Sequence, residues 1–255
     1  MPGAGLDLHT LSKAPRFYVD TPLRAGGSCV LPEDAAHHAT HVMRLRAGDA
    51  VTLFDGRGGE YPGRIASAEK LRIAVDVLEH RPLERESPLA VTLVQAVSAG
   101  DRMDFTVRKA VELGVARIQP VLATRSVARP KGTRADLRRE HWQKVAIAAC
   151  EQCGRNRVPP VLPLLMDAAA YRPEDDAAKK ILLSPLAELR FSAACAGVQA
   201  GVILAAGPEA GFTAEEEAAF VYSGFVPARL GPRVLRTETA ALAALAALSA
   251  LRGDF

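Results

Sequence analysis

The stretch His80-Arg-Pro-Leu-Glu-Arg-Glu-Ser-Pro88 separates two regions whose apolar residues repeat with different periods. Before it, Arg16–Val19, Ala50–Phe54, Tyr61–Ala66 and Leu71–Leu78 are short apolar or alternating runs bounded by Gly and Asp, the pattern of β-strands. Asp55-Gly56-Arg57-Gly58-Gly59 reads as a hairpin turn, and one helix, Glu33–Met43, is expected after Pro32. Beyond Pro88 strands and helices alternate. Strands are expected at Ala90–Ala96, Arg117–Leu122, Ile181–Leu183, Val202–Ala205 and Phe225–Arg229. Helices are expected at Arg102–Leu113, Ala135–Cys153, Thr213–Val221 and Thr237–Arg252. This order predicts an α/β domain with a mostly parallel sheet covered on both faces. The chain is therefore divided into a leader (1–14) expected to fray, a β domain (15–80), a linker (81–88) and an α/β domain (89–255). Its 255 residues, 49% hydrophobic, suffice for two modest cores.

Two expected strands end in Gly-Pro turns that open toward helices: Leu204-Ala-Ala-Gly207-Pro208-Glu209-Ala210-Gly211-Phe212 and Leu230-Gly231-Pro232-Arg233-Val234-Leu235-Arg236-Thr237-Glu238-Thr239. Glycine lets main-chain groups approach a ligand closely, and open α/β sheets bind ligands at the carboxyl ends of their strands. Neither loop matches G-x-x-x-x-G-K-[S/T] or G-x-G-x-x-G, so the pair points to a nucleoside ligand other than a nucleoside triphosphate or NAD. Thr213 and Glu216 have capping-box spacing, which makes the glutamates at 215–217 structural. Thr237 and Thr239 read as helix N-terminal caps.

The net charge is only +3, but Arg125, Arg129, Lys131, Arg134, Arg138 and Arg139 stand against the single acid Asp136 between 125 and 139, with Pro130 and Gly132 among them. Arg155-Asn156-Arg157 and Arg229, Arg233 and Arg236 add two further clusters. Basic loops interrupted by Pro and Gly suit a phosphate backbone, although the 125–139 run alone is equally a solvated face. The four cysteines are too few and scattered for a disulfide framework, and Cys150-Glu-Gln-Cys153 has no second pair to complete a metal site. His37 and His41 are four apart, but no glutamate stands between them to complete a zincin motif, and no metal is expected. The longest apolar stretch, Ala240–Leu251, is too short to span a bilayer, and no export signal is read, so a cytoplasmic protein is expected. Leu242, Leu245, Leu248 and Leu251 make that last helix a core element, with small alanine faces that suit close packing of a second subunit.

From Pro15 onward the chain resembles the bacterial SPOUT methyltransferases of the RsmE type, which methylate uridine N3 in 16S ribosomal RNA of the small subunit. The resemblance rests on His41-Val-Met-Arg44-Leu45, Arg102-Met-Asp-Phe105, Lys109-Ala-Val-Glu-Leu-Gly114, the run Trp142 to Pro159 with its Glu151-Gln-Cys-Gly-Arg155-Asn156, and the two glycine loops. It implies a PUA-like β-barrel for RNA docking, a C-terminal domain tied in a trefoil knot, S-adenosylmethionine held in the knot, and a homodimer. Backbone groups around Leu204, Gly207, Pro208, Glu209, Gly211, Leu230, Gly231, Leu235 and Thr239 are then the expected cofactor site. Arg44, Arg125, Arg129, Lys131, Arg134, Arg138 and Arg139 are the expected RNA contacts. The chain has Ala210 where the family has Gly, which strains the loop if that position needs positive φ. Ala123-Thr124-Arg125-Ser126 has lost one carboxylate of the family pattern.

Uridine N3 is protonated at neutral pH and attacks a methyl group only after losing that proton. A fixed arginine in a dry pocket stabilises the resulting anion. Arg236 is the first expectation for that role and Arg155 the second, with Asn156 reading the uracil edge. Glu238 and Glu209 border the loops, and each is read either as the base or as a group that holds a backbone N–H or the cofactor's ribose, with water then taking the proton. Two other functions fit the same residues: methylation of another RNA, and a non-catalytic RNA-binding factor in ribosome assembly.

Overall fold

The computed structural model describes residues 14–69, 72–175, 178–199, 201–253 and 255. The leader expected at 1–14 (apart from Ala14) and Leu71 at the start of an expected strand lie outside the described residues. The chain forms two compact units. The first holds the described residues up to Glu86 together with Cys150–Val158; the second holds Ser87–Ala149 and Pro159–Phe255. The expected boundary near residues 81–88 thus omits a return segment, Cys150–Val158, which falls within the expected α/β domain in sequence but belongs to the first unit.

In the first unit β1 (Arg16–Tyr18), β2 (Ser28–Val30), β3 (Ala50–Phe54), β4 (Tyr61–Glu69) and β5 (Arg72–Val77) form one sheet in the order β1-β3-β4-β5-β2. β1 and β3 are parallel, and the other pairs are antiparallel. Alternate residues of β5, Ile73, Val75 and Val77, point into a core with Phe17, Val51, Leu53 and Ile65, as a half-buried sheet requires. Sequence reading missed β2, whose Ser28-Cys29-Val30 is too short to show a period. The expected helix Glu33–Met43 is an α-helix only as far as His37 (α1, Glu33–His37) and continues as a π-turn over His38–Val42. The rings of His37 and His41 stack at 4.3 Å on it, and the turn ends at Arg44, whose φ is 57°.

The second unit is a parallel sheet of β6 (Ala90–Ala96), β7 (Arg117–Val121), β8 (Lys179–Leu183), β9 (Gly201–Ala206) and β10 (Val226–Ala228) in the order β10-β8-β9-β6-β7. The helices are α2 (Arg102–Glu112), α3 (Thr133–Cys153), α4 (Phe191–Ala194), α5 (Ala214–Tyr222) and α6 (Thr237–Arg252). On one face Val94, Ala96, Ile203, Ala205 and Leu182 pack against Phe212, Phe220 and Phe225. The Phe220 ring lies 5.0 Å from each of the other two rings. On the other face α6 packs against β6, β9 and α2, which places the intervening strand residues, Leu93 and Gln95 among them, toward that helix. α5 starts with a complete capping box between Thr213 and Glu216.

The register decides where the functional loops emerge. Gln95 pairs with Ala206, Ala206 with Leu183, and Leu183 with Ala228, while Ala96 pairs with Val121. The five strands therefore end almost on one row, and the loops after β6, β7, β8, β9 and β10 leave from the same edge.

Candidate active site

The two glycine loops meet at that edge through one hydroxyl. The Thr237 Oγ donates to the carbonyl oxygen of Gly207 at 2.5 Å and accepts from the Gln95 Nε2 at 3.1 Å. The second Nε2 proton of Gln95 goes to the Ala96 carbonyl at 2.9 Å. With both protons used, the amide's orientation is fixed by its partners. Gln95 Oε1 is left without a partner in a residue that is 0% exposed. Thr237 is thus no helix cap: Arg236 occupies the cap position, and its side chain makes no capping bond.

Space at Gly207 is tight. A Cβ there would lie 3.1 Å from the Phe212 nitrogen and 3.3 Å from the Gly211 Cα. Gly211 and Gly231 are required by conformation, with φ of 71° and 76°. Arg44 is the only non-glycine with positive φ among the described residues, so Ala210 carries no left-handed strain and the concern over this departure from the family pattern is removed. Leu204, expected at the cofactor, is instead the middle of β9, fully buried and paired on both sides with Leu93 and Ile181. Pro208 is buried, Leu230 and Leu235 are half-buried, and Gly231 and Thr239 are exposed.

Glu209 is fixed in place. Its Oε1 accepts from the Ala99 N–H at 2.9 Å and from Arg102 at 2.8 Å. Partial burial raises its pKa, but the Ala99 and Arg102 bonds outweigh that, and the carboxyl is held below its usual range. Such a carboxylate is a tether for the loop after β6 and a weak base. Glu238, at the first turn of α6, has a buried Oε2 with no partner. Beside it Arg236 is exposed, and its side chain makes no hydrogen bond or ion pair among the described residues.

The basic run divides by role. Arg125 donates to the carbonyls of Ala210 and Phe212 at 3.1 and 3.3 Å, clamping the first glycine loop. Arg129 donates to the Ala123 and Thr124 carbonyls at 3.3 and 2.7 Å. Both are expected at RNA, and each gives its Nη1 to backbone carbonyls. Thr124, in the segment that lost a carboxylate, gives its N–H to Glu216 at 2.7 Å. Lys131, Arg134 and Arg138 are exposed on α3 and the turn before it, and Arg139 is half-buried there.

Arg155 and Asn156 are corrected more strongly. Both belong to the first unit, where they are 4% and 0% exposed. Arg155 pairs with Glu86. The Asn156 Oδ1 accepts from Arg16 at 2.6 Å and its Nδ2 donates to the Leu83 carbonyl at 2.5 Å. Arg16 and Arg85 both pair with the buried Glu60, at 2.8 and 3.1 Å, and the Tyr18 N–H donates to Glu151 at 3.0 Å. These side chains hold the return segment in the first unit and have little capacity left for uracil. In the same segment burial pushes the Cys150 thiol up to about 12, and its Sγ lies 3.6 Å from the Arg157 carbonyl.

A parallel α/β unit with two joined glycine loops on its carboxyl edge, preceded by a β unit, defines a class that sequence comparison makes specific. A model of the RNA methyltransferase domain matches residues 85–249, and one of the RNA methyltransferase PUA domain matches 31–78. Ribosomal RNA small subunit methyltransferase E of Bacillus subtilis is 33% identical over 87% of this chain and 91% of its own length. The Mycobacterium bovis enzyme of the same name is 36% identical over 92% and 91%. The Neisseria gonorrhoeae enzyme of that name, solved bound to S-adenosyl methionine, superposes with a TM-score of 0.87 at 40% identity, covering 95% of this chain and 99% of the other. The chain belongs to the ribosomal RNA small subunit methyltransferase E family. Among the described residues no helix is long and apolar enough to cross a membrane.

Proposed function

We propose that this protein transfers a methyl group from S-adenosylmethionine to N3 of a uridine in 16S ribosomal RNA, in the cytoplasm and as a homodimer. The reading is carried by the bond from Thr237 to Gly207, which joins two glycine loops beside an unpaired arginine. The residues fit the cofactor. Gln95 Oε1 is a buried acceptor without a partner, and a Cβ on Gly231 would meet nothing within 4 Å. Backbone groups of Gly207, Gly211, Leu230, Gly231 and Leu235 would hold it. Thr237 would set the direction of the Gly207 carbonyl.

Bound S-adenosylmethionine supplies an electrophilic methyl group. The chain's own residues do the rest. Glu238 takes the N3 proton at its buried carboxylate. The Arg236 guanidinium, exposed and free of other partners among the described residues, meets the charge that spreads onto the uracil oxygens; held there by bound substrate, such a donor is worth ~3–4 kcal/mol at the transition state. Glu209 and Arg125 keep the first loop in place. Lys131, Arg134, Arg138, Arg139 and Arg44 contact the RNA backbone. The knot belongs to the same reading: the chain leaves edge strand β10 and reaches Thr237 beside β9 and β6, passing strand β8 in the sheet order. The half-exposed Phe105 on α2 and Leu251 on α6, two helices packed together, support a second copy covering that face.

Methyl transfer from labelled S-adenosylmethionine to small subunits lacking the modification, read by nucleoside mass spectrometry, tests this directly. N3-methyluridine is expected. A different methylated nucleoside moves the target, and no transfer to subunits, naked rRNA or tRNA leaves an RNA-binding assembly factor.

A further inference from the structure

We propose that Ser98 and Arg138 form a seat for one phosphate of the RNA backbone, at the floor of a groove on the second unit. This deepens the RNA-binding part of the function above and rests on it. The groove, of about 970 Å³, is lined by Arg129, Lys131, Arg134, Arg138 and His141 among others, and no Asp or Glu lines it. Arg129 is committed to two carbonyls. The side chains of Lys131, Arg134 and Arg138 make no hydrogen bond or ion pair among the described residues. At the opposite edge of the sheet, a cleft of about 620 Å³ is lined by both members of an Arg117–Glu174 ion pair, 2.7 Å apart, so charge there is compensated. In the basic groove His141 pairs with Asp104 at 2.6 Å, while Lys131, Arg134 and Arg138 have no acidic partner among the described residues, an excess of positive charge that suits a polyanion.

A small recess of about 40 Å³ adjoins the groove and shares Ala128, Pro130 and Arg138 with it. Ser98, Gly100 and Trp142 help to line it. Ser98 is 3% exposed, and its Oγ has no hydrogen-bond partner. A buried hydroxyl without a partner costs folding free energy, so its presence calls for an explanation outside the folded chain. The recess exceeds the ~10–15 Å³ that one water needs, and so admits a phosphate oxygen.

The main chain contributes as well. Gly100, with φ of 59°, turns the chain into α2, whose cap residue Asp101 makes no side-chain cap bond. A helix start presents free N–H groups and partial positive charge. Glu209 takes the Ala99 N–H and the Arg102 guanidinium, but neither Glu209 nor Asp101 lines the recess. The residues that line it bring a hydroxyl donor (Ser98), a guanidinium (Arg138) and the Gly100 turn into α2. A phosphodiester, which offers only acceptors and a negative charge, matches all three.

Binding of unmethylated 16S rRNA, naked and in assembled small subunits, should be measured over a salt series for wild type, Arg138→Gln, Ser98→Ala and the double variant. S-adenosylmethionine affinity is measured alongside. Arg138→Gln should weaken RNA binding about tenfold and flatten the log–log salt slope by about 0.7–0.9, the loss of one phosphate contact. Ser98→Ala should weaken binding about threefold with the slope unchanged, because a hydroxyl releases no counterion, and should leave the melting temperature equal or higher. The double variant should lose less than the product of the two, since both groups hold one phosphate. An unchanged slope in Arg138→Gln, unchanged affinity in Ser98→Ala, or reduced cofactor affinity in either would overturn the seat while leaving RNA binding intact. If wild type itself shows no salt-dependent RNA binding, the RNA reading fails and the seat with it.

Discussion

Thr237 and Gly207, thirty residues apart, are joined by a 2.5 Å hydrogen bond that links the start of α6 to the loop leaving β9. Thr237→Val keeps the shape and removes the donor, leaving the Gly207 carbonyl and the Gln95 amide each short of a partner. That costs ~1–2 kcal/mol, so S-adenosylmethionine affinity should fall about tenfold by calorimetry. Thr237→Ser should restore it, and a failure of rescue would deny the hydroxyl its positioning role.

Arg236 is exposed and unpaired, so its removal leaves no orphaned partner behind. Arg236→Ala should lower kcat by about 10²–10³-fold with the cofactor Kd unchanged. Wild-type turnover in the variant would remove Arg236 from the chemistry.

Arg125 reaches the Ala210 and Phe212 carbonyls, so its effect belongs to the first glycine loop, proposed above to hold the cofactor. Arg125→Ala should raise the S-adenosylmethionine Kd about threefold, in line with an exposed bond of ~0.5–1 kcal/mol, and should leave the salt slope of RNA binding as it was. A flatter slope would return Arg125 to the RNA surface.

Removing Arg155 strands Glu86 and disturbs a buried network. Arg155→Ala should destabilise the protein by ~3 kcal/mol in urea unfolding, while the kcat of the folded fraction stays within about twofold of wild type. A large fall in kcat at unchanged stability would restore the catalytic expectation.

Burial holds the Cys150 thiol at about 12 and the Cys29 thiol at about 11. In the unfolded chain these groups ionise near 8.5–9. The folded state therefore keeps protons that the unfolded state releases, and stability should fall as pH rises from about 9 toward 12. The double substitution Cys29→Ala and Cys150→Ala should flatten that limb. An unchanged alkaline limb in pH-dependent unfolding would assign the loss to other groups.

Much of this architecture is legible in the chain because periodicity and Gly-Pro punctuation are local signals. The parallel strands, the two loops and the capping box at Thr213 follow from them. The site is legible only in part. Gln95 could have been found, since it is a lone amide in the apolar run Val91–Val97. Ser98 carries no such signal, because a serine after a strand is ordinary until its burial is known. Arg125 and Arg138 look alike in a basic run and differ only in whether a carbonyl lies within reach. Arg155 and Asn156 were misread for the same reason: their partners Arg16, Leu83 and Glu86 lie far away in the sequence, and composition does not show which arginine is already paired.

The return segment Cys150–Val158 has a consequence for how the chain is made. Synthesis runs from the amino terminus, yet the first unit lacks its last strip of chain until residue 158 has been added, well after β6, α2, β7 and most of α3. During translation Arg16 and Arg85 wait for the Gly154 carbonyl, and Arg16 for Asn156 as well, and the early part of the α/β unit must emerge before the β unit can finish. Truncation near residue 86, at the obvious linker, would keep the pairing of Glu60 with Arg16 and Arg85 but deprive both arginines of the acceptors that the return segment supplies.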